Sequence, residues 1–349
     1  IGMDFGSFKT SVTASNGYRE TFPTAVGWPK DHVARAMLGR DVIFGEEILQ
    51  ERLALNVVRP FAKGALKYVA GCEVGVGEDQ LEEHREAARL LVAHAVQMMS
   101  PPPGVPVYGV IGAPSRASIE NKQVLMDAVR GTLDAVVIVA EPFSVAYSMN
   151  RLKETLVVDI GAGTTDICPM YGTYPKEEDQ ITIPIGGDSV DEEFFMRLKT
   201  EYPDAQLSLN MARGIKEKYG FVHDVNEEAV VLLPVDGRPT QFDVTEPLKA
   251  ACRALVDPIV KGLRDVIARF DPEFQRPLLQ NILLGGGGSR LNGLDQLVEE
   301  SLEPFGGGSV TKVDDCVFAG AVGALKLAQG MPRQYWEQLC ERCDPAKVA

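Results

Sequence analysis

The chain has 349 residues, of which 45% are hydrophobic and 24% charged, and this balance excludes wholesale disorder because it is typical of proteins with sizeable cores. The 35 Lys and Arg residues against 49 Asp and Glu residues leave a net charge of −14. Such acidity argues against a duplex-DNA binder and against attachment to anionic lipid through a basic patch. No apolar run approaches the roughly 20 residues that span a bilayer. At about 150 residues per domain, we expect two to three domains.

Cysteine usage favours a reduced, cytoplasmic protein, since five of the six cysteines lie in apolar or helical surroundings. They are Cys72, Cys168, Cys252, Cys316, Cys340 and Cys343. The last two form a C-x-x-C on a predicted C-terminal helix. A zinc site would need a second ligand pair, so a metal or redox role is disfavoured. No targeting signal is visible, but the chain opens inside an apparent first strand, which leaves open further residues or a short anchor before it.

In chain order, helices and strands alternate. Apolar residues at helical spacing predict a helix over Gln80–Met99, ended by the proline-rich segment that follows Ser100. Strands are predicted at Val107–Ile111 and Ala135–Val139, with a helix from about Ser118 to Leu133 between them.

The second half continues this alternation. Thr245 is a good N-cap for one long helix whose apolar face continues to Ile267. A strand over Leu279–Leu284 is predicted to run into Gly285-Gly286-Gly287-Gly288, with another helix near Leu291. Alternating β and α elements predict an α/β fold with helices on both faces of the sheets.

One internal repeat stands out. Asp4-Phe5-Gly6-Ser7-Phe8-Lys9-Thr10 recurs 155 residues later as Asp159-Ile160-Gly161-Ala162-Gly163-Thr164-Thr165, with Asp, Gly and Thr matched. Both copies follow apolar residues and precede another β-rich segment. Although D-x-G is common, the shared context favours a duplication over chance. Each half is predicted to begin with a strand, a tight glycine turn and a returning strand.

The glycine turns predict an anion site. Gly admits positive φ and lacks a side chain that would block approach, so backbone N–H groups are exposed at such a turn. Asp4 and Asp159 would repel a phosphate by about 1 kcal/mol per charge pair at 4 Å in water, or about 4 at an effective dielectric of 20. Mg²⁺ held through its water shell resolves this conflict. The alternative is a structural Asx-turn role for both aspartates.

Other phosphate motifs fit less well. No G-x-x-x-x-G-K-[ST] is present. The segment that starts at Gly161 imitates G-x-G-x-x-G but ends in Asp166 and runs into a strand, not a helix. The amides of Gly285–Gly288 could line a nucleotide, although an ordinary loop gives the same pattern.

Three of these segments together resemble the phosphate-1, phosphate-2 and adenosine motifs of the actin–Hsp70–sugar kinase superfamily. They are Asp4-Phe5-Gly6, the motif from Asp159 to Asp166, and Leu284-Gly285-Gly286-Gly287-Gly288-Ser289. Arg213-Gly214-Ile215-Lys216-Glu217-Lys218 resembles the adenosine-contacting helix of actin, and Glu141-Pro142 is similar to the Glu-Pro of bacterial actins. Gly186-Gly187-Asp188 and Arg59-Pro60-Phe61-Ala62-Lys63-Gly64 are similar to segments of the cell-shape actins of the MreB family.

Further segments along the whole chain resemble the magnetosome actin-like (MamK) family. They are Gly27-Trp28-Pro29-Lys30-Asp31, Val244-Thr245-Glu246-Pro247, Leu279-Gln280-Asn281-Ile282 and Gln334-Tyr335-Trp336. Two positions depart from the pattern. Lys9 stands where bacterial actins often have Asn or His, and Gly285 where the family often has Ala.

The resemblance implies an α/β fold of actin-like, duplicated RNase H-like domains, with two lobes of four subdomains around a nucleotide cleft. It assigns 1–28, 66–142 and 325–349 to subdomain IA, and 29–65 to IB. It assigns 143–187 and 253–324 to subdomain IIA, and 188–252 to IIB.

The resemblance also implies a site for ATP or ADP with Mg²⁺. Asp4 and Asp159 would hold the metal through waters, and Glu141 and Asp159 would be catalytic. The nucleotide would contact Gly6, Ser7, Phe8, Lys9, Gly161, Ala162, Gly163, Thr164, Thr165, Gly187, Asp188, Arg213, Lys216, Glu217, Gly286, Gly287, Gly288, Ser289 and Arg290.

Several of these roles compete with plainer ones. Glu141 follows a predicted strand and would activate water, but an acid also suits the start of the next helix. Lys216 and Glu217 are either nucleoside contacts or solvated helix charges. Asp188 either assists the phosphate-2 segment or caps the following helix.

By resemblance, the protein is expected to be a cytoplasmic, filament-forming ATPase that organises or segregates magnetosome chains. Its partners would be its own copies in a two-stranded parallel filament and magnetosome-associated adaptor proteins, without nucleic acid or a transmembrane segment. The alternatives are a small-molecule kinase and a non-polymerising ATPase such as a chaperone. A kinase needs a base and a polar substrate pocket, and no added constellation of that kind is visible.

Overall fold

The computed structural model describes residues 1–62, 65–66, 78–115, 117–223 and 228–343. Lys63 and Gly64 of the MreB-like segment, Cys72 and the side chain of Cys343 lie outside the described residues. The chain divides into two compact units: unit 1 comprises Ile1–Arg151 and the described residues from Val317 onward, and unit 2 comprises Leu152–Cys316. The four-subdomain boundaries remain a prediction.

The first part of unit 1 contains the following elements: β1 (Gly2–Phe5), β2 (Lys9–Thr13), β3 (Arg19–Pro23), β4 (Val26–Pro29), α1 (His32–Leu38), α2 (Glu47–Gln50), β5 (Leu55–Val58), β6 (Phe61–Ala62), β7 (Ala65–Leu66), α3 (Glu78–Met98), β8 (Tyr108–Ala113), α4 (Ile119–Val129), β9 (Ala135–Ala140) and α5 (Glu141–Ser148).

Unit 2 follows with β10 (Thr155–Ile160), β11 (Thr165–Met170), β12 (Ile181–Ile183), α6 (Gly187–Glu201), α7 (Leu209–Tyr219), β13 (Val230–Val235), β14 (Arg238–Asp243), α8 (Thr245–Arg253), α9 (Val256–Ile267), α10 (Pro272–Leu279), β15 (Ile282–Gly285), α11 (Leu294–Leu302) and β16 (Val310–Lys312). Short 3₁₀ turns lie at Glu177–Asp179, Gly287–Arg290 and Glu303–Phe305. The chain then returns to unit 1 with α12 (Ala319–Gly330) and α13 (Arg333–Cys343).

The two units each contain a five-stranded sheet of the same topology. Unit 1 has a five-stranded sheet in the order β3-β2-β1-β8-β9, and unit 2 has one in the order β12-β11-β10-β15-β16. In each, the first three strands are antiparallel neighbours and the last three are parallel neighbours. The paired residues also match, since Phe5 faces Thr10 and Ile160 faces Thr165. The duplication predicted from the D-x-G repeat is confirmed.

Helices bury one apolar face against each sheet. In unit 1, Leu91 and Val92 of α3 are fully buried in one cluster with Met3 of β1. In unit 2, Leu248 of α8 and Leu263 of α9 are fully buried in another. At about 1.5–3 kcal/mol for each large side chain removed from water, these faces hold the helices on the sheets.

The long helix predicted after Thr245 is interrupted. It forms α8 and α9, with a break at Ala254–Leu255. Pro258 has no N–H to donate to the carbonyl of Ala254, and its ring crowds that carbonyl, so one continuous helix is excluded. The predicted apolar face is nevertheless buried through to Ile267. Thr245 is the first helical residue and not the N-cap, and its N–H donates to Asp243 at 2.9 Å.

Three other boundaries differ from prediction. The helix predicted from about Ser118 to Leu133 has Ser118 as its N-cap and ends at Val129, because Arg130 is extended and Gly131 has a φ of +80°. Leu279 ends α10, so the following strand begins only at Ile282. The glycine run continues as a 3₁₀ turn, and the next α-helix, α11, begins three residues after Leu291.

The helix α12 packs unusually close to the first part of unit 1. A Cβ on Gly323 would overlap the carbonyl oxygen of Ser144 in α5, and a Cβ on Gly2 would overlap that of Ala321. Thr13 donates to the Ala321 carbonyl at 3.1 Å. The small residues of α12 are therefore a condition for the packing of unit 1.

We expect Gly323→Ala to destabilise the protein by at least about 2 kcal/mol, because the added methyl group forces α12 away from α5. Gly214→Ala in α7 is the matched control, since no neighbouring atom lies within 4 Å of the added Cβ. It should stabilise the protein by about 0.5–1 kcal/mol. Thermal unfolding followed by circular dichroism tests both, and equal midpoints for the two variants would contradict the packing described.

Candidate functional site

Unit 1 brings two carboxylates to one edge of its sheet. Asp4 lies near the carboxyl end of β1, paired with Ser11 on one side and Gly112 of β8 on the other. Glu141 follows β9 directly and is the first residue of α5. The carboxyl ends of β1, β8 and β9 meet at this edge because the three strands are parallel. Ligands of open α/β sheets bind at such an edge.

Gly112 provides the space for the Glu141 side chain. A Cβ on Gly112 would lie 3.1 Å from Glu141 Cγ and 3.7 Å from the Met3 carbonyl oxygen. The prediction from sequence did not include Gly112. A glycine inside an apolar strand often marks a close approach, and this signal could have identified it.

The Asp4 carboxylate is enclosed by the beginning of α12. A Cβ on Gly320 would overlap Asp4 Oδ2. The neighbouring Ser11 donates to the Val317 carbonyl at 2.8 Å and so fixes the segment that leads into α12. Burial raises the pKa of Asp4 to about 6 from its ordinary 3.8. The charged form of this side chain is therefore costly unless a cation compensates it.

Thr24 holds the turn between β1 and β2. Its hydroxyl donates to the Gly6 carbonyl at 2.7 Å, its N–H donates to the Phe8 carbonyl at 2.8 Å, and Thr10 lies 2.9 Å from its hydroxyl. Two carbonyl oxygens that would repel an anion are thus bonded within the protein. Thr24 was not predicted, because nothing in its local sequence indicates this distant contact.

The left-handed backbone predicted for these glycine turns is not adopted at Gly6 or Gly161, since neither has a positive φ. Instead, a Cβ on Gly6 would lie 2.8 Å from the Lys9 carbonyl oxygen, and a Cβ on Gly161 would lie 3.3 Å from that of Thr164. Close packing across the turn, not a left-handed backbone, excludes a side chain at Gly6 and disfavours one at Gly161.

Two cations lie near the ring of Phe8 in this turn. The guanidinium carbon of Arg59 is 4.9 Å from the ring centroid, and the Lys9 ammonium is 5.9 Å from it. Arg59 directly follows β5, so this contact links the antiparallel pair of β4 and β5 to the turn. Positive charge from two separate segments is gathered beside the turn of unit 1.

In unit 2, Asp159 occupies the position in β10 that Asp4 occupies in β1. It pairs with Asp166 of β11 and with Gly285 of β15. Asp159 and Asp166 are both buried, and Asp166 accepts a hydrogen bond from Thr182 at 2.6 Å. Directly opposite residues of antiparallel strands have Cβ atoms about 4.5–5.5 Å apart. Two acidic residues are therefore close neighbours at this strand end.

The unit 2 turn is bonded to the beginning of α6. Gly187 N donates to the Gly161 carbonyl at 3.0 Å, and Asp188 N donates to the Ala162 carbonyl at 2.7 Å. A Cβ on Gly186 would lie 2.6 Å from both carbonyl oxygens. The first amides of α6 therefore bind the turn itself.

Thr164 and Thr165, both predicted to contact phosphate, are buried. The Thr165 hydroxyl donates to the Ile185 carbonyl at 2.8 Å. This bond ties the start of β11 to the segment that leads into α6. The Gly161 N–H closes the turn on the Thr164 carbonyl at 2.8 Å.

The helices α6 and α7 are joined by a network of ion pairs. Arg213 donates to Asp191 at 2.7 Å and to Asp188 at 2.8 Å. Lys216 Nζ lies 2.6 Å from Asp191 and donates to the Gly187 carbonyl at 2.8 Å. Asp188 thus pairs with Arg213 from the first turn of α6. Glu217 is exposed.

Asp191 is fully buried and was not predicted. The spacing could have identified it. Asp188 and Asp191 are three residues apart on α6, as are Arg213 and Lys216 on α7, so each pair shares one helix face. Two acidic residues on one helix and two basic residues on the next, at equal spacing, predict ion pairs between the two helices.

The predicted glycine loop lies beside Asp159. Gly286 has a φ of +72°, and a Cβ on it would overlap Asp159 Oδ1 and the Ile160 carbonyl oxygen, so only glycine fits. Ser289 donates to the Gly286 carbonyl at 2.7 Å and is buried, while Gly287 and Arg290 are exposed. The loop, the turn and Asp159 therefore occupy one end of the unit 2 sheet.

Among the described residues, no group of three or more His, Cys, Asp or Glu side chains is arranged to hold a metal ion. Cys340 lies on α13, as predicted for the C-x-x-C segment. None of the described helices combines the length and apolar character that crossing a membrane requires.

Comparison with known proteins places the chain among the bacterial actins. The model of the MreB/Mbl protein family matches residues 83–332. The actin-like protein MamK of Paramagnetospirillum magneticum is 39% identical over 97% of this chain and 94% of its own length. MamK of Magnetospirillum gryphiswaldense is 38% identical over 97% of this chain and 91% of its own length.

Solved structures agree. A MamK double helical filament superposes with a TM-score of 0.89 at 38% identity and covers 95% of this chain and 98% of that one. A non-polymerising MamK mutant bound to AMPPNP has a TM-score of 0.71 at the same identity, over 94% of this chain and 98% of that one. With the duplicated sheet topology, these matches show that the chain belongs to the MreB/Mbl family of bacterial actin-like proteins and, within it, to the MamK proteins.

Proposed function

We propose that this protein is a cytoplasmic ATPase that assembles into filaments and organises or segregates magnetosome chains. The similarity to MamK along nearly the whole chain carries this proposal. Solved MamK filaments support self-assembly, and a MamK mutant bound to AMPPNP, an ATP analogue, supports ATP or ADP as the ligand. We infer a two-stranded parallel filament, connected to magnetosomes by adaptor proteins.

The hairpin turns are the proposed phosphate contacts. Gly6–Lys9 of unit 1 and Gly161–Thr165 of unit 2 carry backbone amides near a strand-end aspartate, and Lys9 adds a cation. Gly187 and Asp188, next to the second turn, are assigned to the same role. The nucleoside is assigned to Arg213, Lys216, Glu217 and the loop Gly286–Arg290.

Mg²⁺ is the proposed metal, held through its waters by Asp4 and Asp159. The donors suit it, since carboxylate oxygens are the side-chain ligands that Mg²⁺ prefers and it usually retains several waters. The raised pKa of the half-buried Asp4 also indicates a carboxylate that a nearby cation would stabilise. When bound, the ion would neutralise phosphate charge.

Glu141 is the proposed water-positioning residue. A carboxylate repels a phosphate, but it accepts a hydrogen bond from a water placed to attack that phosphate. Its place at the carboxyl end of β9, beside Gly112, suits this role. Its position as the first residue of α5 also suits the alternative, stabilisation of the helix end, so the two roles need an experiment.

Assembly is tested by sedimentation. We expect the protein to pellet with MgATP and to remain in the supernatant without nucleotide, because ATP would favour the polymerising conformation. Electron microscopy of the pellet should show paired strands. Identical pelleting with and without MgATP, or an amorphous pellet, would contradict the proposal.

We expect Glu141→Ala to form filaments with ATP but to release phosphate about 10²–10⁴-fold more slowly, since that is the usual cost of losing a general base or water-orienting group. Its filaments should then fail to disassemble. Glu120→Ala is the matched control, because Glu120 also lies in the first turn of a helix of unit 1. Phosphate release and pelleting are measured on one sample. Normal hydrolysis, or failure to assemble, would show that Glu141 is structural.

We expect Asp4→Asn to stabilise the metal-free protein at pH 7.5 and to abolish Mg²⁺-dependent tightening of ATP binding. The pKa of Asp4 is about 6 when folded against an ordinary 3.8, so the folded state holds the proton more tightly and stability falls as pH rises through this window. Asparagine removes this penalty, which is worth up to about 3 kcal/mol at pH 7.5.

The increase in unfolding free energy caused by Asp4→Asn should fall to less than half at pH 4.5, where the folded wild-type side chain is protonated. Thermal unfolding at both pH values measures it. An equal increase in stability at both pH values would show that the ionisation of Asp4 does not affect the stability of the folded protein.

A further inference from the structure

A continuous series of bonds connects α7 to the turn of unit 2. Lys216 Nζ donates to the Gly187 carbonyl at 2.8 Å, and Gly187 N donates to the Gly161 carbonyl at 3.0 Å. The next amide, of Asp188, binds the Ala162 carbonyl at 2.7 Å. One peptide unit of α6 thus separates the Lys216 ammonium from the turn.

The Lys216 ammonium is held firmly in this position. Its side chain is 12% exposed, and it lies 2.6 Å from Asp191, whose side chain is fully buried. Arg213, 14% exposed, binds the other oxygen of the same carboxylate. Truncating one partner of a buried ion pair leaves an uncompensated charge, so this arrangement strongly resists rearrangement.

We propose that Lys216 is a positioning residue for the phosphate turn of unit 2, and that it acts through the Gly187 peptide with Asp191 as its anchor. This deepens the proposed function, because it assigns to a residue of the nucleoside-side helix an effect on phosphate binding. The competing role is direct contact with the nucleoside alone, in which case replacing Lys216 would leave the structure and stability of the turn unchanged.

Hydrogen exchange of the nucleotide-free protein tests whether Lys216 holds the turn in place. In Lys216→Met, which keeps the apolar stem, we expect the amides of Gly161, Gly187 and Asp188 to exchange at least about fivefold faster. Lys218→Met is the matched control, since Lys218 is on the same helix and contacts only the Tyr219 ring among the interactions described for it. It should change these rates by less than about twofold.

Ligand binding tests the consequence. Magnesium tripolyphosphate, which has no nucleoside, is titrated against wild type and both variants beside MgATP. We expect Lys216→Met to lose affinity for tripolyphosphate by about tenfold or more, as for a charged hydrogen bond, and for ATP by at least as much. Lys218→Met should bind both normally.

The outcomes separate the two roles. Loss of ATP affinity alone, or unchanged exchange at the turn, overturns the proposal. Because the exchange experiment contains no nucleotide, its result is independent of whether wild type binds ATP. Should Lys216→Met unfold, Asp191→Asn keeps the shape of the anchor and removes only the charge that holds Lys216, and unchanged exchange in this milder variant overturns the proposal equally.

Discussion

At the end of the central strand of each unit, a carboxylate is covered by a neighbouring segment that can come this close only because it carries a glycine there. Asp4 is covered by α12 at Gly320, and Asp159 is covered by the glycine loop at Gly286, and a Cβ at either glycine would overlap a carboxylate oxygen. Each site therefore depends on a glycine that follows its aspartate by more than 100 residues. Substitution there would disturb the acid without altering the D-x-G motif itself.

The parts of the site that are local in sequence could be predicted. The D-x-G repeat predicted both hairpins and their equivalent positions in the two units, because a strand, a turn and a returning strand are contiguous in sequence. Gly112 and Asp191 carry only indirect signals in the sequence and Thr24 carries none, because each acts on a residue of a different element. The break in the helix after Thr245 was missed although its cause, Pro258, was visible. The apolar spacing continued past the proline and suggested one helix.

The amides at the start of α6 bear on how this fold can hold an anion. In many nucleotide-binding folds the first amides of a helix point at a phosphate. Here two of them are bonded to the carbonyls of Gly161 and Ala162. The helix thus supports the turn through its first two amides. The ion pairs of Asp191 then act on the geometry of the turn and not only on the cohesion of two helices.

The division of unit 1 along the chain has a consequence for biosynthesis. Thr13 bonds to Ala321, 308 residues later, while unit 2 is one continuous segment. At about 5–20 residues per second, a ribosome needs roughly 15–60 s to make the intervening chain. During that time the face of β1 that α12 will cover stays open, and unit 2, which ends at Cys316, is completed only just before α12. The nascent chain therefore exposes an incomplete apolar sheet, and chaperones that bind such surfaces would act on unit 1 first.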